Sequence, residues 1–275
     1  MNILELERLS WRMRKRILEM SLRSEGPTHL GGGLSLVEIL AVLYGSVMNL
    51  RADDPKWEDR DRFILSKGHG VLGLYSVLAE VGIIDEATFR TFKMDGSHLI
   101  AHPVMNLDLG IEASNGSLGP GLSLAVGMAW AARRLQRKHN IFAVLGDGEC
   151  SEGSIWEAAM LASNLKLENL RVVVDCNGLQ SDGPTSDSLG CDSLFKKWQS
   201  FGWDTRLVDG HDVSDLLRVL STPNPELPTC VIARTIKGKG INFMESNNEW
   251  HHNRLTQAMF EKASESLSSS AHADT

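Results

Sequence analysis

Residues 144–150 read VLGDGEC: an apolar run closes at Leu145, and Gly146 and Gly148 bracket Asp147. Taken alone, this is a turn with an acid in it. Its meaning changes with residues 172–183, VVVDCNGLQSDG, where a second apolar run ends just before Asn177. A helical pattern near 153–166 separates the two runs, so 141–145 and 171–175 form one βαβ unit. In open parallel sheets ligands sit beyond the carboxyl ends of the strands. If the two strands are neighbours, Asp147 and Asn177 share one rim. Mg²⁺ takes octahedral oxygen ligands and is usually held by one or two side chains plus the phosphates of a cofactor. A carboxylate, an amide oxygen and a backbone carbonyl leave room for diphosphate oxygens and water. Gly146 and Gly148 let the backbone approach a diphosphate, and the N-terminus of the following helix favours an anion. The pair therefore reads as a Mg²⁺–diphosphate clamp.

Outward from this unit the alternation continues. Residues 3–22 read as an amphipathic helix, with Ile3, Leu6, Met13, Ile17 and Met20 on one face. A helix starting at Ser35 is expected from the Ser35–Glu38 capping box. RFILS (62–66) is a strand, and helices are expected over 69–82 and 121–136. After the βαβ unit come a helix at 192–200, a strand at 205–208, a helix at 213–220 and a strand at 230–235. Strands alternating with helices predict an α/β fold with a mostly parallel sheet flanked by helices on both faces. Residues 1–262 are expected to form this domain. Residues 263–275, of low complexity, are expected to be a disordered tail.

Composition narrows the function. The 275 residues carry a formal net charge of −7, which argues against a nucleic-acid binder. No window approaches the roughly 20 apolar residues of a membrane span, and the charged N-terminus is not a secretory signal. Cys150, Cys176, Cys191 and Cys230 are irregularly spaced without a C-x-x-C pair. They predict neither a zinc site nor a disulfide framework, and a cytoplasmic location is expected. IKGKGI lacks P-loop spacing, and GGGLSLV and GPGLSLAVG do not satisfy G-x-G-x-x-G after a strand.

The GDG…N arrangement resembles the thiamin diphosphate-binding motif, and the chain from Arg16 to about Leu255 is similar to the N-terminal half of transketolases. The stretches that carry the resemblance are GPTHLGGGLSLVEIL, DRFILSKGHG, AHPVMNLDLGIEASNGSLGPGLSLAVGMA, LGDGECSEGSIWEAAMLASNLKLENLRVVVDCNGLQSDG, VDGHD, ARTIKGKGI and WHHNRL, in family order. The resemblance implies a thiamin diphosphate-binding fold. It makes Asp147, Asn177 and the Leu179 carbonyl the ligands of Mg²⁺, or of another divalent cation such as Ca²⁺ or Mn²⁺. Gly148, through its backbone, and His69 would meet the diphosphate. Gly116, Ser117 and Leu118 would line the aminopyrimidine pocket. His29, His102 and His251 would face the substrate, His251 also touching the cofactor. Lys237 would stand near the site. Glu152 and Glu157 would link two cofactor sites across a dimer. Ser117 replaces the family's usual proline, and WHH replaces WHG, so His251 is the better match. His98 and His252 receive no role, and His211 in DGHD reads as structural.

The cofactor chemistry also needs a glutamate that protonates the pyrimidine, and in full-length transketolases it lies in a further, C-terminal domain. The resemblance therefore implies half of a split enzyme. Its partner would be a C-terminal subunit supplying the pyrimidine-binding domain and that glutamate, in an α₂β₂ heterotetramer. The expected reaction is transfer of a two-carbon ketol unit from a ketose to an aldose, with a sugar phosphate the expected donor and a phosphate, a sulfonate or another terminal group left open by the sequence. A non-catalytic scaffold or regulatory homologue, or a subunit of a synthase-type enzyme, are the alternatives.

Overall fold

The apolar runs lie side by side in one sheet. In the computed structural model, which describes residues 1–24, 26–185 and 190–271, the strands are β1 (Arg62–Leu65), β2 (Ile141–Gly146), β3 (Leu170–Cys176), a short antiparallel pair β4 (Leu179–Gln180) and β5 (Gly183–Pro184), then β6 (Asp204–Asp209) and β7 (Thr229–Arg234). The main sheet has the order β1-β2-β3-β7-β6, and every neighbouring pair is parallel. Strands β2 and β3 are adjacent, with Gly146 opposite Asp175. The geometric condition for a shared Asp147–Asn177 rim is met.

The helices are α1 (Ile3–Arg23), α2 (Leu30–Leu34), α3 (Val37–Val42), α4 (Val71–Glu80), α5 (Glu86–Phe89), α6 (Pro120–Arg134), α7 (Gly153–Asn164), α8 (Cys191–Ser200), α9 (Val213–Leu220) and α10 (Gln257–Ala271). Successive side chains of a strand point to opposite faces, so each central strand feeds two cores. Phe142, Val144, Val173 and Val231 pack with α1, α3, α4 and α9. Ala143, Leu145, Val172, Val174 and Ile232 pack with α6, α7 and α8. Burial on both faces is why β2 and β3 read as continuous apolar runs. Among the described residues no helix is long and apolar enough to cross a membrane.

Three expectations are corrected. Ser35 does not cap a helix. It follows α2, and its hydroxyl donates to Gly32 O at 3.2 Å and to Asp175 Oδ2 at 2.6 Å. The expected box partner, Glu38, turns instead to Arg14, because a buried carboxylate takes a charged partner over a local cap. The segment assigned to a disordered tail continues helix α10 to Ala271, and Ala263 and Leu267 are buried against the core; residues 272–275 lie outside the described residues. Finally, Cys176 and Cys191 are joined in a disulfide, while Cys150 and Cys230 are free and buried.

Glu38 anchors α1 and α9 behind the sheet rim. Arg14 donates to it twice, at 2.6 and 2.9 Å, and His211 Nδ1 lies 2.9 Å from Oε2. His211 Nε2 accepts the Ile236 N–H at 2.8 Å. The neutral ring therefore carries its hydrogen on Nδ1, and the structural reading of His211 holds. Burial alone would raise the Glu38 pKa, but Arg14 and His211 outweigh it and bring it from 4.5 down to about 2. A depressed carboxylate stabilises the fold above its unfolded pKa, and that contribution is lost as pH falls from 4.5 to about 2. Glu38→Gln is expected to lower stability by on the order of 3 kcal/mol at neutral pH. It should also flatten the acid limb between those pH values, as read by urea titrations at stepped pH. An acid limb identical to wild type would contradict the assignment.

Candidate active site

The carboxyl ends of β1, β2, β3 and β7 deliver, in turn, Lys67 and His69, Asp147, Asn177, and Lys237. Asp147 is buried. Its Oδ1 accepts the Gly148 N–H at 2.9 Å, and its Oδ2 accepts the Gly178 N–H at 2.8 Å and the Thr185 hydroxyl at 3.0 Å. The loops after β2 and β3 are thereby joined. Burial, then the nearby Asp175 charge, raises the Asp147 pKa. A cation would relieve both effects. Asn177 Oδ1 accepts the Leu179 N–H at 3.1 Å, and the Leu179 carbonyl lies 3.5 Å from Lys237 Nζ. Carboxylate, amide and carbonyl oxygens are hard donors of the kind that Mg²⁺, Ca²⁺ or Mn²⁺ takes. Gly148, expected to offer its backbone to a diphosphate, here turns its N–H to Asp147 itself.

Below the clamp lies a buried polar layer that sequence reading missed. Asp175 is fully buried and accepts from Lys67 Nζ at 2.5 Å, Ser35 Oγ at 2.6 Å and the Thr235 hydroxyl. Burial would raise its pKa, but Lys67 and these donors hold it down. It also receives the Asn177 amide Nδ2 at 3.4 Å, which ties the clamp to this layer. Glu149, one residue past GDG, accepts from Ser66 Oγ at 2.5 Å, Gly119 N at 2.8 Å and Gly146 N at 3.0 Å. It thus ties the loop that carries Gly116, Ser117 and Leu118 to the end of β2. That loop is exposed at Gly116 and Ser117, and the space at Gly116 is open. The sequence signals for this layer were the acid at the end of VVVD and the lysine in SKGHG.

Glycines bring these loops into contact. A Cβ on Gly68 would collide with Asn115 O, so SKGHG and the 115–119 loop meet backbone to backbone. A Cβ on Gly31 would lie 2.9 Å from both Trp250 O and Lys237 Cγ. This is why α2 can press His29 against the 248–252 segment.

The histidines converge. Ring centroids of His69, His102 and His251 lie 5.6, 5.7 and 5.5 Å from that of His29, and His69 and His251 are 5.5 Å apart. His252, left without a role from sequence, stacks 4.5 Å from His29 and belongs to the cluster. His98 is exposed, and His139 stands beside Arg62. Burial first, then the neighbouring imidazoles, lowers the His29 pKa to about 3. Burial and Lys237 lower that of His251 to about 4. Burial lowers His69 and His102 as well. At neutral pH His29, His69, His102 and His251 are therefore uncharged imidazoles that accept or relay protons.

Lys237 orients this cluster. Its buried ammonium donates to Asn248 Oδ1 at 2.9 Å and to His251 Nδ1 at 2.8 Å, and burial with Lys67 nearby lowers its pKa to about 8. His251 accepts at Nδ1, so its hydrogen sits on Nε2. Lys237→Met is expected to release this tautomer and to raise the His251 pKa from about 4 toward the ordinary ~6.5. A ¹⁵N-imidazole NMR titration reads both, and an unchanged tautomer would refute the orienting role. Glu152 and Glu157 do not join the site. Both are exposed, Glu152 at the N-cap of α7 and Glu157 on the helix, which also exposes Met160 and Leu161.

Comparisons with known proteins show the family and the fold. The family described as transketolase, thiamine diphosphate binding domain, matches residues 13–273. An apulose-4-phosphate transketolase subunit from Actinobacillus succinogenes is 43% identical over 249 residues, covering 90% of each chain. A protein named 6-deoxy-6-sulfo-D-fructose transketolase subunit SqwG, from a Clostridium species, is 38% identical over 91% of this chain and 92% of its own. Among solved structures, Campylobacter jejuni transketolase superposes with a TM-score of 0.89 at 27% identity, over 98% of this chain and 43% of that one.

Proposed function

The chain belongs to the family of transketolase thiamine diphosphate-binding domains, and from that premise we propose that it is the N-terminal subunit of a split transketolase. In this reading it moves a two-carbon ketol unit from a ketose, as a sugar phosphate, to an aldose. The observation that carries the reading is that Lys237, 3.5 Å from the Leu179 carbonyl and 2.8 Å from His251 Nδ1, joins the loop after β3 to a cluster of five histidines. Two relatives of matching length bear subunit names, which supports a separate partner chain.

Asp147, Asn177 and the Leu179 carbonyl would hold the divalent cation, and His69 and the Gly116–Leu118 loop would hold the cofactor. When bound, thiamin diphosphate supplies the nucleophilic carbon and the electron sink for carbon–carbon cleavage. The chain's own part is proton handling and orientation. Neutral His29 and His251 sit within reach of one another to exchange protons with substrate hydroxyls. His251, held by Lys237, offers an Nε2–H donor, and His102 would hold the two-carbon fragment by hydrogen bonds. Glu152, Glu157 and the exposed side chains of α7 would face a second protomer in an α₂β₂ assembly. The partner chain would supply the pyrimidine-activating glutamate.

The test is to co-purify the partner, reconstitute the complex and titrate it with thiamin diphosphate and Mg²⁺ by calorimetry. The complex is then assayed against ketoses with phosphate, sulfonate or unsubstituted ends. Metal-dependent binding with ketol transfer is the expected result. Absence of metal-dependent binding would favour a non-catalytic scaffold.

A further inference from the structure

His29 is the hub of the histidine cluster: the rings of His69, His102, His251 and His252 all stand against it. Among the described residues neither of its ring nitrogens has a hydrogen-bond partner. Two other histidines are held differently. His251 is held by Lys237, and His211 by Glu38 and the Ile236 N–H. The χ2 torsion of a histidine is broad, so an imidazole without such a bond is free to turn. A ring that exchanges protons with a substrate must keep its nitrogens aimed. At His29, packing has to supply what hydrogen bonding does not.

The backbone shows which ring does so. Thr28 and Asn253 form an antiparallel bridge, with Thr28 N donating to Asn253 O at 2.9 Å and Asn253 N donating to Thr28 O at 3.1 Å. A pair that exchanges both bonds is flanked by pairs that exchange none, whose side chains stand closer together. On one side that flanking pair is His29 and His252. His252 is extended, with φ −147° and ψ 98°, where the chain leaves the turn at Asn248–His251. The two adjacent histidines thus divide the work: His251 meets Lys237, and His252 meets His29.

The result is the closest ring contact that His29 makes, with centroids 4.5 Å apart and planes 30° apart. The rings of His69, His102 and His251 lie farther off and meet His29 at 56°, 64° and 86°. Only His252 lays a face on a face. An edge touches a ring along one side, whereas a stacked ring blocks its rotation across the whole face.

We infer that His252 is a positioning residue: its ring, stacked on His29 through the Thr28–Asn253 bridge, fixes the plane in which His29 meets the hydroxyls of a sugar substrate. The inference rests on the proton-handling reading of His29 for its functional consequence. The task needs a flat ring at position 252 and neither of its nitrogens. His252 is exposed while the other four rings are half-buried, so replacing it leaves the core intact.

The test has two arms. In the first, the full chain alone is labelled with ¹³C at the histidine rings, and NMR relaxation gives the order parameter of the His29 ring. The wild-type ring is expected near ~0.85, His252→Ala below ~0.6, and His252→Phe, which keeps a flat ring, near wild type. An equally ordered His29 ring in His252→Ala overturns the inference, as does a ring as mobile in His252→Phe as in His252→Ala. In the second arm, ketol transfer is measured on the complex reconstituted with the partner. His252→Ala is expected to lower kcat about tenfold, the worth of one aromatic pair, with KM within about twofold. His252→Phe should recover most of that loss. A loss in His252→Phe equal to that in His252→Ala would assign the effect to the His252 nitrogens and overturn the positioning role. Loss of His29 order in His252→Ala, with no ketol transfer by the wild-type complex, upholds the stack and sinks the transketolase reading instead.

Discussion

Asp147→Ala is expected to lower Mg²⁺-dependent affinity for thiamin diphosphate at least about 100-fold while the chain stays folded. The clamp has one charged donor. Asn177 and the Leu179 carbonyl contribute only dipoles, and a divalent ion that must shed water needs the carboxylate. The fold tolerates the loss because Asp147 is a strained charge: burial and Asp175 both disfavour its ionised form. Truncation removes that cost but leaves the Gly178 and Gly148 N–H groups without their acceptor, a penalty of about 1–3 kcal/mol. Calorimetry on the reconstituted complex gives the affinity, and circular dichroism with urea unfolding gives the fold. Wild-type affinity in the variant would remove Asp147 from the cation site.

Asp175→Ala carries the largest expected stability effect. Asp175 and Lys67 are 0% and 1% exposed at their side chains and sit 2.5 Å apart. Removing one partner leaves a buried charge uncompensated, which costs about 3–5 kcal/mol. Ser35 and Thr235 lose their acceptor as well. The urea midpoint should fall with little change in slope. The double variant Lys67→Met/Asp175→Leu should be more stable than Asp175→Ala, since no charge is then stranded. A loss under about 1 kcal/mol in the single variant would contradict the buried-pair account.

The shared rim of Asp147 and Asn177 was legible because these residues end consecutive apolar runs, and strands buried on both faces announce themselves. The buried layer beneath was not. Lys67 meets Asp175 across 108 positions of chain, and no local pattern marks such a pairing. The Ser35–Glu38 box illustrates the opposite error: a valid local signal yielded to two buried partners, Asp175 for the hydroxyl and Arg14 for the carboxylate. Helix α10 was hidden by its serines, although Phe260, Ala263 and Leu267 recur at helical spacing and pack on the core. His252 carried no signal of its own. It joins the cluster because the turn at Asn248–His251 presents the next residue to His29. The cysteine pair escaped because its spacing matches no framework, and only the return of α8 to the end of β3 brings the sulfurs together.

The central claim is that this chain holds the diphosphate half of an active site completed by another polypeptide. The direct measurement is ketol transfer by the purified chain with thiamin diphosphate, Mg²⁺ and a ketose–aldose pair, with and without the co-purified partner. The account predicts no turnover by the chain alone and turnover on adding the partner. Sustained turnover by the chain alone would contradict it.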